Sequence, residues 1–287
     1  MYYSLEEAQK LIIEAGHKLL EKGLTARTWG NISARISFTE FLITPSGRAY
    51  EDLTPDELVI VQVHDASYEE GKKPSSEKAF HSAIYKLRED ASFIIHTHQF
   101  FASAISVNGE NYDFAPCCAY GLPGTEALKK AVAQAVIDNK NQKSFLLKNH
   151  GALCIGDSYE ESFALIDELE ENSKALFKEK TDGYFAAGLD YNDYTLAVFI
   201  SVAKNINRTL RPYIDDFAQF FGPSVDLSEG EEKLCVGEDS EAMKMVLIKN
   251  CAAAIYASRV GAKPLGSFDS FLQRMVYKFK YSKLKNK

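Results

Sequence analysis

The sequence predicts an α/β protein in which helices pack around a largely antiparallel or mixed sheet, followed by a helical extension. Two patterns carry that expectation. Apolar residues at helical spacing alternate along the chain with short strand-like runs, and several connections between those runs are too short to hold the crossover helix that parallel strands need. Composition then loosens at "KEKTDGYFAAGLDYND", which places a boundary near residue 183 with two or three helices beyond it.

The first helix starts at Ser4, where Ser4 and Glu7 have the spacing of a capping box. Leu5, Ala8, Ile12, Ala15 and Leu19 repeat at helical intervals until Gly23 ends the run. Short strands follow in "NISARI", "FLITP" and "LVIVQVH", punctuated by Pro45, Ser46, Gly47 and Pro55. A helix from Ser75 or Ser76 to Arg88 comes next, with Ser76 as its cap and Glu77 complementing the helix dipole. "FIIHTH" (Phe93–His98) is strand again, and Thr125 caps a helix running to about Asn139. "SFLLKNHG" and "ALCIG" are short apolar strands before an acidic helix from about Ser158 to Phe177. One internal echo exists: "LCIGDSYE" (Leu153–Glu160) returns as "LCVGEDSE" (Leu234–Glu241). It raises the expectation that residues 184–287 form a degenerate second half-domain, in which Glu231 stands where His150 stands in the first copy.

The formal net charge of −7, from 33 basic and 40 acidic residues, argues against a nucleic-acid partner, because phosphate-backbone affinity needs excess Lys and Arg. The basic stretch "KFKYSKLKNK" reads as a solvated end. There is no apolar run of the ~18 residues that a membrane span requires, and "MYYSLEEAQK" has no signal-peptide pattern. The five cysteines (Cys117, Cys118, Cys154, Cys235 and Cys251) are odd in number and lack metal-ligand spacing, as expected of buried thiols in a reducing compartment. A cytoplasmic protein without a membrane partner is expected.

The chemistry concentrates in histidines. His96 and His98 end an apolar strand one residue apart, so both project to one face while Thr97 faces the other way. His150 sits before Gly151 at a second strand-to-turn junction. Together they make a three-imidazole set with one coordination position left open, the pattern of a catalytic zinc rather than a structural one. A lone histidine is better read as a satisfied structural residue, and His17, His64 and His81 are read that way. "KPSSEKAFH", "TWGNISAR" and "ITPSGRAYEDL" add a carboxylate, Glu77, that can act as a base, and turns or helix starts able to hold an anion. Each of these is weak alone.

Taken in order, "TWGNISAR", "ITPSG..Y..L.PDEL", "PSSE...H", "HTH" and "NHGAL" resemble the class II aldolase/adducin family, closest to its metal-dependent L-fuculose-1-phosphate-type aldolases. The resemblance runs from Leu5 to Phe177, so residues 1–183 are expected to form the catalytic domain. It implies a three-layer α/β/α fold with a central, mainly antiparallel sheet, and a homotetramer with sites at subunit interfaces. It also implies that His96, His98 and His150 hold Zn²⁺, with another divalent transition ion as the alternative. Glu77 matches the catalytic acid/base. Gly30 and Asn31, Ser46 and Gly47, and Ser75 and Ser76 match the segments that hold a substrate phosphate.

The reaction this implies is reversible cleavage of a ketose 1-phosphate to dihydroxyacetone phosphate and an aldehyde. The stretch between His98 and "GTEAL" is shorter than in fuculose-type enzymes and carries no clean match to their catalytic tyrosine; Tyr112 and Tyr120 lie nearby. The related pentulose-phosphate 4-epimerases have Asp where Glu77 stands. Methylthioribulose-phosphate dehydratases keep the Glu after a Ser-Ala pair, and adducin-like scaffolds lose the ligands. Glu77 and the three histidines therefore favour the aldolase, with the dehydratase next.

Overall fold

The computed structural model describes residues 2–25, 28–182, 193–228, 234–237 and 239–281. The chain divides into two compact units, Met1–Gln99 with Gly109–Glu171 and Phe100–Asn108 with Asn172–Lys287. The boundary expected at residue 183 lies outside the described residues, as do Glu231 and Glu238 of the sequence echo. Leu234–Gly237 contain no strand, whereas Leu153–Gly156 are strand.

The first unit is built on a seven-stranded sheet of β1 (Asn31–Arg35), β2 (Glu40–Ile43), β3 (Val59–Gln62), β4 (Phe93–Thr97), β5 (Cys117–Cys118), β6 (Ser144–Leu147) and β7 (Gly151–Gly156). The strand order is β3-β2-β1-β4-β7-β6-β5, and every pairing is antiparallel except β5 with β6. The expected mainly antiparallel sheet is therefore present, with β4 at its centre.

Strand alternation decides what each face carries. On one face Phe41, Ile43, Val59, Val61, Ile94, Phe145, Leu147, Leu153 and Ile155 pack against α2 (Lys78–Leu87) and α4 (Glu126–Asp138). Those helices supply Phe80, Ile84, Tyr85, Leu128, Val132 and Val136. On the other face Phe93 meets Tyr3, just before α1 (Leu5–Glu21), and Tyr159 at the start of α5 (Tyr159–Lys180). Helices thus cover both faces, giving the layered α/β arrangement the sequence predicts.

Local signals set most element ends. The Ser4 hydroxyl accepts the Glu7 N–H at 3.2 Å and caps α1. Thr125 caps α4 by accepting from the Leu128 N–H. The expected start of α2 is corrected: the helix begins at Lys78, and Ser76 does not cap it. The reason is pairing. Ser75 N–H donates to the Thr44 carbonyl at 2.9 Å, Ser46 N–H donates to the Lys73 carbonyl at 2.8 Å, and Pro45 bridges Pro74. Residues 73–75 are thereby held extended, and the turn closes only when the Ser75 hydroxyl accepts from the Glu77 N–H at 3.2 Å.

The second unit is helical. It contains α3 (Phe100–Ile105), the end of α5, α6 (Asp193–Ile206), α7 (Asp215–Phe221), α8 (Ser240–Val260) and α9 (Ser267–Val276). A two-stranded ribbon pairs β8 (Thr209–Leu210) with β9 (Val225–Asp226). α8 packs on α3 and α6, and Phe177 lies between Phe101 and Tyr256 at centroid distances of 5.4 and 5.9 Å. Lys249 and Asp216 form a fully buried ion pair at 3.6 Å. Among the described residues no helix is long and apolar enough to cross a membrane.

Ile94 is fully buried at the centre of the sheet. Ile94→Ala should therefore lower the unfolding free energy by about 2–5 kcal/mol, read as a lower urea midpoint at unchanged slope.

Candidate active site

β4 carries the site because it is paired on both edges. His96 lies opposite Asn31 of β1 and opposite Leu153 of β7. Its Nδ1 lies 2.8 Å from the Ala152 carbonyl oxygen. A carbonyl can only accept, so Nδ1 carries the proton and the Nε2 lone pair points away from it. His98, just past the strand end, places its Nε2 3.1 Å from that of His96. His150 reaches the same point from the β6–β7 turn, with its Nε2 3.2 Å from that of His96. The turn is tight: Asn149 is left-handed at φ 59°, and a Cβ on Gly151 would lie 2.3 Å from the Thr97 carbonyl oxygen.

All three imidazoles are buried, and their ligand atoms lie within 4.8 Å of one another. Nitrogens bound tetrahedrally at zinc distances stand about 3.3 Å apart, close to the spacing here. Burial, then the neighbouring His96 and His98, hold the His150 pKa well below the ordinary histidine range, which keeps the ring neutral as a ligand must be. The donor set fits a divalent transition ion.

Glu77 faces this centre. Its two carboxylate oxygens lie 3.3 Å from His96 Nε2 and 3.7 Å from His150 Nε2, and the residue is only 7% exposed. Asn31 Nδ2 donates to Glu77 Oε2 at 2.7 Å. Gly30 lets β1 approach so closely: its φ is +75°, and a Cβ there would lie 2.4 Å from the His96 carbonyl oxygen. Any side chain at that position would push β1 away from β4. The Tyr50 hydroxyl is buried without a hydrogen-bond partner among the described residues, and burial followed by the charge of Glu77 pushes its pKa up.

Of the residues singled out by sequence, Gly30, Asn31, Glu77, His96, His98 and His150 come together here. Ser46 and Gly47 lie beside Ser75 and Ser76 through the pairing of residues 44–46 with 73–75. Asn31 is engaged by its side chain with Glu77 and His81. Two further neighbours stand in the quoted motifs without an assigned role at the site. Trp29 stacks parallel to His98 at a centroid distance of 6.2 Å, and only its place beside Gly30 hinted at it. His81 bonds Asn31 from α2, and its position four residues after Glu77, on the same helical face, was the available signal.

The sequence matches the family description "Class II Aldolase and Adducin N-terminal domain" over residues 10–177. The chain belongs to this family. It is 35% identical over 171 residues to the L-fuculose phosphate aldolase of Escherichia coli K12, a match covering 55% of this chain and 77% of that protein. It is 33% identical over 171 residues to a 5-methylthioribulose-1-phosphate/5-deoxyribulose-1-phosphate aldolase of Escherichia coli O45:K1, covering 55% and 78%. Its fold is similar to the crystal structure of L-fuculose-1-phosphate aldolase from Thermus thermophilus, with TM-score 0.52 and 26% identity over 63% of this chain and 97% of that one. Class II aldolases depend on a metal, and this class II aldolase has a buried three-histidine cluster able to hold one.

The chain contains a single tryptophan, Trp29, and it stacks on His98. Titrating metal-free protein with Co²⁺ should quench its emission to an equimolar end point, and His96→Ala should remove that saturable change along with the bound metal.

Proposed function

We propose that this class II aldolase cleaves a ketose 1-phosphate reversibly to dihydroxyacetone phosphate and an aldehyde. The observation that carries the reading is Glu77, a buried carboxylate 3.3 Å from the Nε2 of His96 in the three-histidine cluster. His96, His98 and His150 are the residues that would hold the ion, Zn²⁺ first and Mn²⁺ or Co²⁺ as alternatives. When bound, the ion supplies Lewis-acid stabilisation to negative charge developing on the substrate's oxygens.

The rest is done by the chain. In the cleavage direction the hydroxyl that becomes the aldehyde carbonyl gives up its proton to solvent as the carbon–carbon bond breaks, and the bond's electron pair stays with the dihydroxyacetone-phosphate fragment. Glu77 then delivers a proton to that carbon, and in synthesis it removes the same proton. Asn31 holds the carboxylate's Oε2, limiting the directions in which it can reach. The segments at Gly30–Asn31, Ser46–Gly47 and Ser75–Ser76 hold the phosphate, so binding energy remote from the reacting bond orients it. A four-fold assembly with sites at subunit interfaces goes with this reading. The relative named for 5-methylthioribulose and 5-deoxyribulose 1-phosphates supports adding small 5-substituted pentulose phosphates to fuculose-type sugars as candidates.

A panel of ketose 1-phosphates, with coupled detection of dihydroxyacetone phosphate, tests the proposal. Activity should vanish with a chelator and return with Zn²⁺ or Co²⁺. Glu77→Gln should lower kcat by about 10²–10⁴-fold while leaving bound metal in place. Absence of retro-aldol product from every sugar would overturn the aldolase reading and make dehydration of a methylthioribulose phosphate the reaction to test.

A further inference from the structure

A chain of buried polar side chains between β1 and α2 leads into Glu77. Asn31 Oδ1 lies 2.5 Å from His81 Nε2, His81 Nδ1 lies 2.7 Å from Ser33 Oγ, and Ser33 Oγ lies 2.9 Å from the Tyr85 hydroxyl. Asn31, Ser33, His81 and Tyr85 are all buried, each at most 3% exposed. β1 contributes Asn31 and Ser33, which share a face as strand residues two apart. α2 contributes His81 and Tyr85, which share a face as helix residues four apart.

Asn31 Nδ2 donates to Glu77 Oε2, and that bond fixes the direction of every other in the chain. With its NH₂ turned to Glu77, the Asn31 amide presents its oxygen to His81. That oxygen only accepts, so His81 Nε2 carries the proton. Burial lowers the His81 pKa to about 3, so the ring is neutral and Nδ1 is an acceptor. Ser33 therefore donates to Nδ1 and accepts from Tyr85. Each group donates to the next, and reversing any one of them would set two acceptors or two donors face to face.

We infer that His81 is a positioning residue for proton transfer: its Nε2–H holds the Asn31 amide in the one orientation that fixes the Glu77 carboxylate. Phe80 and Phe41 stack on its ring at centroid distances of 4.6 and 6.4 Å, so the imidazole is locked by packing as well as by hydrogen bonds. A fixed imidazole is a better anchor than water here, since a buried amide that rotates freely would let the carboxylate sample unproductive directions. The inference deepens the function proposed above and rests on Glu77 being the group that moves the proton.

Two variants separate positioning from mere structure. Gln at position 81 keeps an N–H donor near the place of Nε2, whereas Phe keeps the ring shape and removes it. His81→Phe should lower kcat, and the rate of solvent-deuterium exchange into dihydroxyacetone phosphate, by about 10–100-fold. KM should stay within roughly threefold of the parent value, and bound metal should be unchanged. His81→Gln should recover most of the loss. Equal impairment of the two variants, or a His81→Phe enzyme with parental kcat and exchange rate, would overturn the inference.

A long-range ¹H–¹⁵N correlation spectrum of the full chain, with the His81 signal assigned by its loss in His81→Gln, gives an answer that needs no substrate. It should show a neutral, Nε2-protonated ring between roughly pH 6 and 8. An Nδ1-protonated or charged ring there would overturn the inference even if His81→Phe failed to fold. Should the parent enzyme neither cleave any sugar nor exchange the proton, the functional reading fails, while the spectrum still decides the state of His81.

Discussion

Pairing of β4 on both edges is the constraint from which the site follows. With β1 on one side, Asn31 is placed across from His96, and Gly30 is admitted only because its missing Cβ leaves room for the His96 carbonyl. With β7 on the other, the Ala152 carbonyl orients the His96 ring, and the turn before β7 carries His150 to the same point. A strand slipped by one residue would turn His96 of β4 away and bring Thr97 in its place. The hydrophobic pattern opposes such a slip, since Ile94 and Phe93 would exchange faces between the two helical layers.

The same pairing accumulates electrostatic tension. Three imidazole nitrogens and a carboxylate converge where water is largely excluded, and nitrogen lone pairs facing one another repel. A divalent cation reverses the sign of each of these interactions at once. The fold therefore tolerates a cluster whose converging nitrogens a divalent cation would satisfy. Unfavourable local arrangements of this kind concentrate at functional sites. The hydrogen-bonded chain through Asn31 and His81 reduces the freedom that such a cluster would otherwise have.

Much of this was legible in the chain. The spacing of His96 and His98 at the end of an apolar run placed both on one face, and Thr97 indeed points the other way, its hydroxyl bonding Gln99. His81 is buried with both ring nitrogens bonded, as a structural histidine is, but its partners Asn31 and Ser33 lie about fifty residues earlier and no local pattern names them. Ser76 has the composition of a cap, but pairing of residues 73–75 with 44–46 overrides local preference and delays the helix. α3 also escaped notice, because "FFASAI" spans less than two helical turns and shows no periodicity that separates helix from strand. The central place of β4 depends on strand order, which no local signal encodes.

α3 has a consequence for how the protein is made. All six of its residues are buried, and it follows directly on Gln99, two residues after β4 ends. It belongs to a compact unit whose remaining residues begin only at Asn172, and its packing partner α8 is not reached until Ser240. At ordinary elongation rates that interval lasts on the order of ten seconds. During this time an apolar segment just beyond the central strand has emerged from the ribosome without the helix that will shelter it. The order of synthesis therefore runs against the order of assembly, and truncation after α5 would strip Phe199 from Phe100 and α8 from α3. Such a shortened chain would be an aggregation hazard rather than a minimal enzyme.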